Sequence, residues 1–102
     1  MTNIDINKYS KRFQKALKGL TPPDPKNTQG QELYDLNFQY IDLLGEGIDN
    51  LDDTCTRQIS SIEHKAYRII KSMSGKEMVE NNPYIEMFFL IQDHYIKTRY
   101  QI

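Results

Sequence analysis

Two runs of apolar side chains between Gln31 and Met73, with members three or four residues apart, constrain the fold of this chain more than any other feature. Such spacing places the apolar groups on one face of an α-helix. The first run is Leu33, Leu36, Tyr40, Leu44, Ile48 and Leu51. The second run is Cys55, Ile59, Ile62, Ala66, Ile69, Ile70 and Met73. Because a short acidic turn joins the runs, we expect an antiparallel helical hairpin closed along the apolar faces.

Two further segments carry helical spacing, one on each side of the hairpin. Near the N-terminus, Asp5 is a suitable helix cap and Gly19 a suitable stop. Near the C-terminus, Pro83 suits the first position of a helix, with Asn82 as its cap. The sequence therefore predicts a single all-α domain, in which the hairpin is extended to a four-helix bundle. The predicted helices span about residues 5–19, 30–51, 53–73 and 83–100.

The last of these helices is apolar around nearly its whole circumference. One side carries Tyr84, Phe88, Ile91 and Tyr95, and another carries Ile85, Phe89 and Ile96. A helix of this kind needs partners on more than one side, so we expect it at the centre of the fold or at an interface. Hydrophobic residues make up only 38% of the 102 residues, and small domains bury a limited share of their surface. These features favour a homo-oligomer.

The charge of the chain is small in total but unevenly distributed. The formal net charge of −1 argues against binding to long nucleic acids, because no overall basic field is present. Residues 1–20 are mainly basic, whereas residues 31–53 hold seven acidic residues and no Lys or Arg. We expect these two segments to complement each other, within one chain or between two.

Residues 21–30 form the one clear loop of the sequence, because three prolines within four residues cannot be helical. The prolines hold the backbone in an extended path. Lys26, Asn27 and Thr28 follow, and they lie directly before a helix N-terminus, where free N–H groups favour anions. Two interpretations remain open, a rigid spacer with a solvated tip and a binding loop for phosphate or for base and ribose edges.

The sequence gives little support for a metal site, a redox-active site or a membrane-spanning segment. Cys55 is the single cysteine, so no internal disulfide is possible, and it lies on an apolar stripe as a small hydrophobic group would. His64 and His94 fall on different helices, so we expect no metal site and no other cofactor. The sequence shows no apolar run long enough to cross a bilayer and no signal-peptide core. We therefore expect a cytoplasmic protein.

Arg57 and His64 form an Arg-x6-His spacing, which resembles the signature of the helical HEPN ribonucleases. The pair has suitable chemistry, since Arg stabilises negative charge and His moves a proton. Gln58 stands where that family favours a residue such as Asn. We interpret the two side chains as solvated groups on a helix surface and keep a HEPN-like nuclease as a third alternative.

The proline loop and the hairpin together resemble the helical hairpin of phage anti-defence sponge proteins. The resemblance covers about residues 20–73 and is carried by Thr21-Pro22-Pro23 with its Lys-Asn-Thr tail, by Leu36 to Leu44, by Arg57 and by Ile62 to Ile70. Leu20 stands where the family has a Tyr before the two prolines. Members of these families are small, oligomeric and non-catalytic, and they sequester cyclic oligonucleotides or cyclic ADP-ribose signals made by anti-phage systems.

The resemblance implies that Lys26 and Thr28 bind from the loop and Arg57 from the hairpin turn. Phosphates would be held by charge-assisted hydrogen bonds, and Tyr34 or Tyr67 would stack on a base. The predicted ligand-binding residues are Lys26, Asn27, Thr28, Tyr34, Arg57, Ser61, Tyr67 and Arg68. We thus expect a non-catalytic, phage-type inhibitor that sequesters a nucleotide-derived immune messenger. The alternative is a helical protein-interaction module, an inhibitor or adaptor without a small-molecule ligand.

Overall fold

The computed structural model describes residues 23–45 and 53–99, and this part of the chain is helical apart from short connections. It contains α1 (Thr28–Gly45), α2 (Asp53–Ser72), α3 (Gly75–Glu80) and α4 (Asn82–Arg99), with no β-strand in either range. The all-α prediction is confirmed for these residues. The helix predicted at residues 5–19 and most of the acidic turn before α2 lie outside the described residues.

The first helix begins two residues earlier than the predicted position 30, because Asn27 caps it. The side-chain oxygen of Asn27 accepts a hydrogen bond from the Gly30 N–H at 2.8 Å, and its carbonyl accepts from the Gln31 N–H at 3.0 Å. A capping side chain of this kind satisfies one of the free N–H groups of the first turn. The described part of this helix ends at Gly45, so the predicted end at residue 51 lies beyond it.

The connection between the two predicted C-terminal helices contains a helix of its own, which the sequence analysis did not predict. Ser74 and Glu77 form a reciprocal capping box at the start of α3. The Ser74 N–H donates to the Glu77 carboxylate at 2.9 Å, and the Glu77 N–H donates to the Ser74 hydroxyl at 3.2 Å. Ser-x-x-Glu is the sequence signature of this motif.

Asn81 joins α3 to α4, and the prediction that Asn82 caps the last helix is wrong. The N–H groups of Tyr84 and Ile85 donate to the Asn81 carbonyl at 3.0 and 3.2 Å, which makes Asn81 the residue that precedes the helix. Asn81 is also the C-terminal cap of α3 and is almost fully buried. One buried asparagine therefore closes one helix and opens the next.

The central helix of the described region is α1, which packs against both α2 and α4. The Tyr84 ring contacts Tyr34 near the starts of α4 and α1, and Tyr95 contacts Tyr40 further along both helices. These contacts show that α1 and α4 run in the same direction. The second helix, α2, runs in the opposite direction, since the start of α1 lies beside its end, as the cavities described below show.

The core consists largely of the apolar faces that the spacing predicted, although Ile69 and Ile70 are only half-buried. The fully buried Tyr40 and Phe88 lie at its centre, with ring centroids 6.1 Å apart. Burying a side chain of this size stabilises the fold by roughly 1.5–3 kcal/mol. The remaining buried apolar residues are Leu33, Leu36, Ile41, Leu44, Ile59, Ile62, Ala66, Met73, Tyr84, Met87, Ile91 and Tyr95. Cys55 is half-buried.

Candidate functional site

Two adjoining cavities lie along the seam between α1 and α2, with volumes of about 390 and 460 Å³. Gln39 and Lys65 line both cavities, so together they form one elongated depression, which we call the α1–α2 groove. Its lining residues are Glu32, Asp35, Leu36, Gln39, Asp42 and Leu43 from α1, and Gln58, Ser61, Ile62, Lys65, Arg68 and Ile69 from α2.

The groove follows from the spacing of residues at the margins of the two apolar faces. On α2, Ser61, Lys65 and Arg68 recur at intervals of four and three residues, so they lie on one side of that helix, next to the core residue Ile62. The buried side chains of Leu36 and Ile62 form part of its apolar floor. The groove therefore combines an apolar floor with polar walls.

The two walls of the groove carry opposite charge. Glu32, Asp35 and Asp42 line the α1 side, whereas Lys65 and Arg68 line the α2 side. Among residues 23–45 and 53–99, no carboxylate lies within 4 Å of the Lys65 or Arg68 cationic group, and the ion pair that does form, Lys97 with Asp93 at 3.0 Å, lies on α4. The basic wall thus presents two cations that described carboxylates do not neutralise by direct contact.

The predicted loop residues lie together at the start of α1, in cavities that neither Lys65 nor Arg68 lines. Lys26, Asn27 and Thr28 line a shallow cleft of about 430 Å³, and Lys26 and Asn27 also line a more enclosed cavity of about 260 Å³. Asp24, Glu80, Asn81, Pro23 and Tyr84 complete the enclosed cavity. The Asn27 side-chain oxygen is already occupied as the helix cap. Because carboxylates accompany Lys26 here, the enclosed cavity does not favour an anion.

The loop is anchored by Tyr84, whose hydroxyl donates to the Pro23 carbonyl at 2.7 Å. Burial raises the pKa of this hydroxyl, and the nearby Asp24 carboxylate and Tyr34 raise it further. The tyrosine is therefore a neutral donor throughout the physiological range. The contact fixes the proline loop against the start of α4.

Lys26 and Arg57, which the resemblance placed in one pocket, lie at opposite ends of the hairpin. Lys26 precedes α1, whereas Arg57 is exposed in the first turn of α2, which runs antiparallel to α1. An 18-residue helix such as α1 is about 27 Å long. One chain therefore does not bring these two side chains to a shared ligand.

The two predicted stacking tyrosines also lie outside the groove. The half-buried Tyr34 ring packs against Phe38 and Tyr84, with centroid separations of 4.6 and 5.9 Å. The Tyr67 ring contacts Phe88 at 5.6 Å on the side of α2 that faces α4. Of the eight predicted ligand-binding residues, Ser61 and Arg68 are the two that the α1–α2 groove brings together.

Lys65, Gln39 and Gln58 are groove residues that the sequence analysis did not select. The signal that would have found Lys65 is its position between Ser61 and Arg68 on one helical face. The two glutamines had no such signal, because their position depends on how α1 and α2 are rotated against each other. The sequence analysis expected the acidic residues of segment 31–53 to complement the basic N-terminal segment, and three of them line the groove wall.

Three buried polar atoms have no hydrogen-bond partner among the described residues, and none belongs to a residue that lines the α1–α2 groove. They are the side-chain oxygens of Asn37 and Asn81 and the hydroxyl of Tyr40. The Asn37 amide nitrogen does donate to the Tyr84 carbonyl, at 3.0 Å. Burial raises the pKa of Tyr40 strongly, and Glu63, Tyr95 and Tyr67 add to the effect. Each of these atoms lowers the stability of the fold, because burying a polar group without a hydrogen bond costs desolvation free energy.

The comparisons with known proteins name no relative. Family models, curated proteins and solved structures were each searched, and none matches the chain. Within the described ranges there is no group of three or more His, Cys, Asp or Glu side chains arranged to hold a metal ion. None of the helices α1 to α4 is both long and apolar enough to cross a membrane.

Proposed function

We propose that this chain is a non-catalytic binding protein that sequesters a nucleotide-derived immune messenger in the α1–α2 groove. The observation that carries the proposal is the pair of cations, Lys65 and Arg68, on one wall of a groove that also offers Ser61 as a hydrogen-bond donor. Phosphate oxygens accept charge-assisted hydrogen bonds from such groups. The cavity volumes of about 390 and 460 Å³ lie in the range of small-molecule sites.

The acidic wall restricts which nucleotides fit. Glu32, Asp35 and Asp42 repel phosphate, so the phosphates belong on the α2 side, and the base and sugar face α1. Carboxylates accept hydrogen bonds from ribose hydroxyls and from exocyclic amino groups of bases. This arrangement favours a compact ligand with few phosphates and many donors, such as a cyclic dinucleotide or cyclic ADP-ribose, over a long polyanion.

A thermal-shift titration tests the proposal directly. Cyclic dinucleotides, cyclic trinucleotides and cyclic ADP-ribose are each added to the purified chain, since a ligand that binds only the folded state raises the melting temperature. Denaturation should then release the ligand chemically unchanged. If none of these ligands raises the melting temperature, the proposed ligand class is wrong.

Substitutions at the basic wall locate the site. Lys65→Ala and Arg68→Ala should each weaken binding by about tenfold or more, because a hydrogen bond to a charged group contributes about 1.5–3 kcal/mol. Lys71→Ala is the matched control, since it removes one exposed positive charge from the same helix outside the groove. Equal loss in all three variants would mean that only the general charge of α2 matters.

Substitutions at the two ends of the hairpin distinguish a ligand bound within one chain from a ligand bound between two chains. If Lys26→Ala and Arg57→Ala abolish binding while Lys65→Ala and Arg68→Ala do not, the ligand lies where two chains bring those ends together. The resemblance to sponge proteins favours that arrangement, whereas the geometry within one chain favours the groove.

A second function is favoured by the floor of the groove. Leu36 and Leu43 on α1, and Ile62 and Ile69 on α2, are each seven residues apart, so apolar side chains recur along the depression. Such a floor between charged walls suits an amphipathic helix of a partner protein. A protein-interaction module of this kind should show no shift with nucleotides and should retain one protein partner on an affinity column.

We also propose the assembly in which this function operates. The chain self-associates in the cytoplasm of a phage-infected host. Hydrophobic residues make up only 38% of the sequence, and a small domain buries a limited share of its surface, which supports self-association. Native mass spectrometry of the purified protein reports subunit number and any retained small molecule together.

A further inference from the structure

The outward side of α2 carries positive charge and hydrogen-bond donors in one continuous row. Arg57, Ser61, His64, Arg68 and Lys71 recur at intervals of four, three, four and three residues, so they are successive neighbours on the helix surface. We call this row the α2 ridge. All five side chains are exposed, and the row lies opposite the buried side of the helix. Two of its members also line the α1–α2 groove, whereas the other three line neither of its cavities.

The positive charge of the ridge has little counter-charge on its own helix. The acidic residues of α2 are Asp53 and Glu63. The half-buried Glu63 carboxylate accepts a hydrogen bond from Gln92 of α4, and Asp53 lies in the first turn. Among residues 23–45 and 53–99, no carboxylate lies within 4 Å of a ridge cation. The net charge of −1 does not describe this surface, because charges more than about 8–10 Å apart are largely screened at physiological ionic strength.

Two partly exposed aromatic rings flank the C-terminal half of the ridge. Tyr67 lies three residues after His64 and four before Lys71, so it neighbours both on the helix surface. Tyr67 is 37% exposed and Phe89 of α4 45% exposed, with ring centroids 6.5 Å apart. Gln92 donates to the Tyr67 hydroxyl and so restrains that ring. Aromatic rings beside a row of cations are the groups on which unpaired bases stack.

From the ridge and these rings together, we infer that α2 binds the phosphate backbone of a single-stranded nucleic acid, with bases turned towards Tyr67 and Phe89. Arg, Lys and Ser side chains are common phosphate ligands, and a His ring donates an N–H. From Arg57 to Lys71 the ridge is roughly 21 Å long, at 1.5 Å per residue. It therefore spans about six nucleotides of a stacked strand, at about 3.4 Å each. The inference goes beyond the proposed function and does not depend on the ligand of the α1–α2 groove.

Other anionic partners fit the α2 ridge less well. A duplex keeps its bases paired in its interior, so it would leave the two rings without a stacking partner. A helix that binds a membrane surface buries bulky apolar side chains in the lipid, and a protein interface is centred on buried apolar or aromatic anchors. None of the five ridge residues is apolar. A single strand is therefore the partner that uses both the cations and the rings.

Fluorescence anisotropy with a labelled single strand of about 12 nucleotides, prepared as RNA and as DNA, tests the inference. Arg57, Arg68 and Lys71 supply three cations for phosphate, and each contact contributes about 0.7 to the slope of log affinity against log salt concentration. The expected slope is therefore about 2. Raising the salt from about 50 to about 200 mM should weaken binding roughly twentyfold.

Substitutions separate the phosphate contacts from the stacking. Arg57→Ala and Lys71→Ala should each lower the salt slope by about 0.7. Phe89→Leu should weaken single-strand binding about fivefold or more without changing the slope, and should not affect binding to a duplex of the same sequence. Lys97→Ala is the matched control, because it removes one positive charge from α4 that is already paired with Asp93 at 3.0 Å. It should bind as the wild type does, and circular dichroism checks that each variant is folded.

Three results would overturn the inference. The first is no binding of either single strand at about 50 mM salt. The second is an equal loss in Lys97→Ala and in the two ridge variants, which would mean that only the total charge matters. The third is binding to vesicles of anionic phospholipid without binding to either strand. If the single strands bind but cyclic nucleotides do not, the groove proposal fails and the ridge proposal is supported.

Discussion

Replacing Gly30 by alanine should destabilise the fold, although alanine is intrinsically the better helix former. Gly30 lies in the first turn of α1, where this helix meets the junction between α3 and α4. A Cβ atom at this position would lie 2.6 Å from the Asn81 side-chain oxygen, 3.2 Å from Cε2 of Tyr84 and 3.3 Å from the Asn27 side-chain oxygen. The first of these separations is shorter than non-bonded atoms tolerate, so a neighbour must move.

The size of the destabilisation depends on whether the neighbouring side chains can move away from the added methyl group. Asn81 is 1% exposed, so its side chain has no solvent-filled space to enter, and the Asn27 oxygen is the cap of α1. Overpacking of a buried site costs about 1–3 kcal/mol, and disturbing the cap costs about 1 kcal/mol more. The helix propensity of alanine offsets about 1 kcal/mol of this. We expect Gly30→Ala to lower the free energy of unfolding by about 1–3 kcal/mol.

Gly75 provides the control within the same chain. It is the first residue of α3, and a Cβ atom there would meet nothing within 4 Å. Gly75→Ala should leave the free energy of unfolding unchanged or raise it by up to about 1 kcal/mol, because alanine restricts the unfolded chain more than glycine does.

Urea denaturation followed by circular dichroism measures both variants, and each kcal/mol corresponds to a change in melting temperature of about 4–8 °C for a domain of this size. Adding Asn81→Ala to Gly30→Ala should recover part of the loss, since it removes the closest atom. If Gly30→Ala is as stable as the wild type, α1 does not pack against Asn81 in the way described.

Three further predictions concern single polar groups. Tyr40→Phe should stabilise the fold by about 1 kcal/mol, because it removes a fully buried hydroxyl without a described partner, whereas Tyr84→Phe should destabilise it by about 0.5–1.5 kcal/mol through loss of the bond to Pro23. A lower melting temperature in Tyr40→Phe contradicts the claim that the Tyr40 hydroxyl is unpaired. An unchanged melting temperature in Tyr84→Phe contradicts a stabilising bond to Pro23. The pKa of Glu77 is lowered from 4.5, first by its hydrogen bond with the Ser74 backbone N–H and then by the Gln29 side chain. The ionised Glu77 carboxylate therefore stabilises the fold above pH 4.5, and this stabilisation is lost as the pH falls through its lowered pKa. Glu77→Gln should reduce the decrease in melting temperature at acid pH. Identical pH profiles for the variant and the wild type would refute this role of Glu77.

Much of the helical fold could be predicted from the sequence, because helix formation and the choice of buried face depend on residues three and four positions apart. Leu33, Leu36, Tyr40 and Leu44 were predicted to share a face, and all four are buried. Ser74 and Glu77 carried a usable capping signature that was overlooked. The role of Asn81 was not predictable in the same way, since its burial depends on contact with α1, far away in the sequence.

The candidate site was less predictable than the fold. Ser61 and Arg68 were selected and do line one groove, but Lys26 and Arg57 were combined on the basis of a family resemblance and lie at opposite ends of the hairpin. The antiparallel hairpin predicted from the short connection already separates these two residues, so the error came from the resemblance and not from the helical pattern.

The sequence by itself determined that the described residues are mainly helical, where α1, α2 and α4 begin to within a few residues, and which of their faces are apolar. These properties arise from backbone hydrogen bonding and side-chain spacing over one or two turns. The tertiary structure alone decided that an acidic wall faces a basic wall across the α1–α2 groove, and that Phe89 and Ile96 of α4 remain partly exposed. Both features depend on the rotation and direction of each helix relative to its neighbours, and these are set by the packing of the whole core.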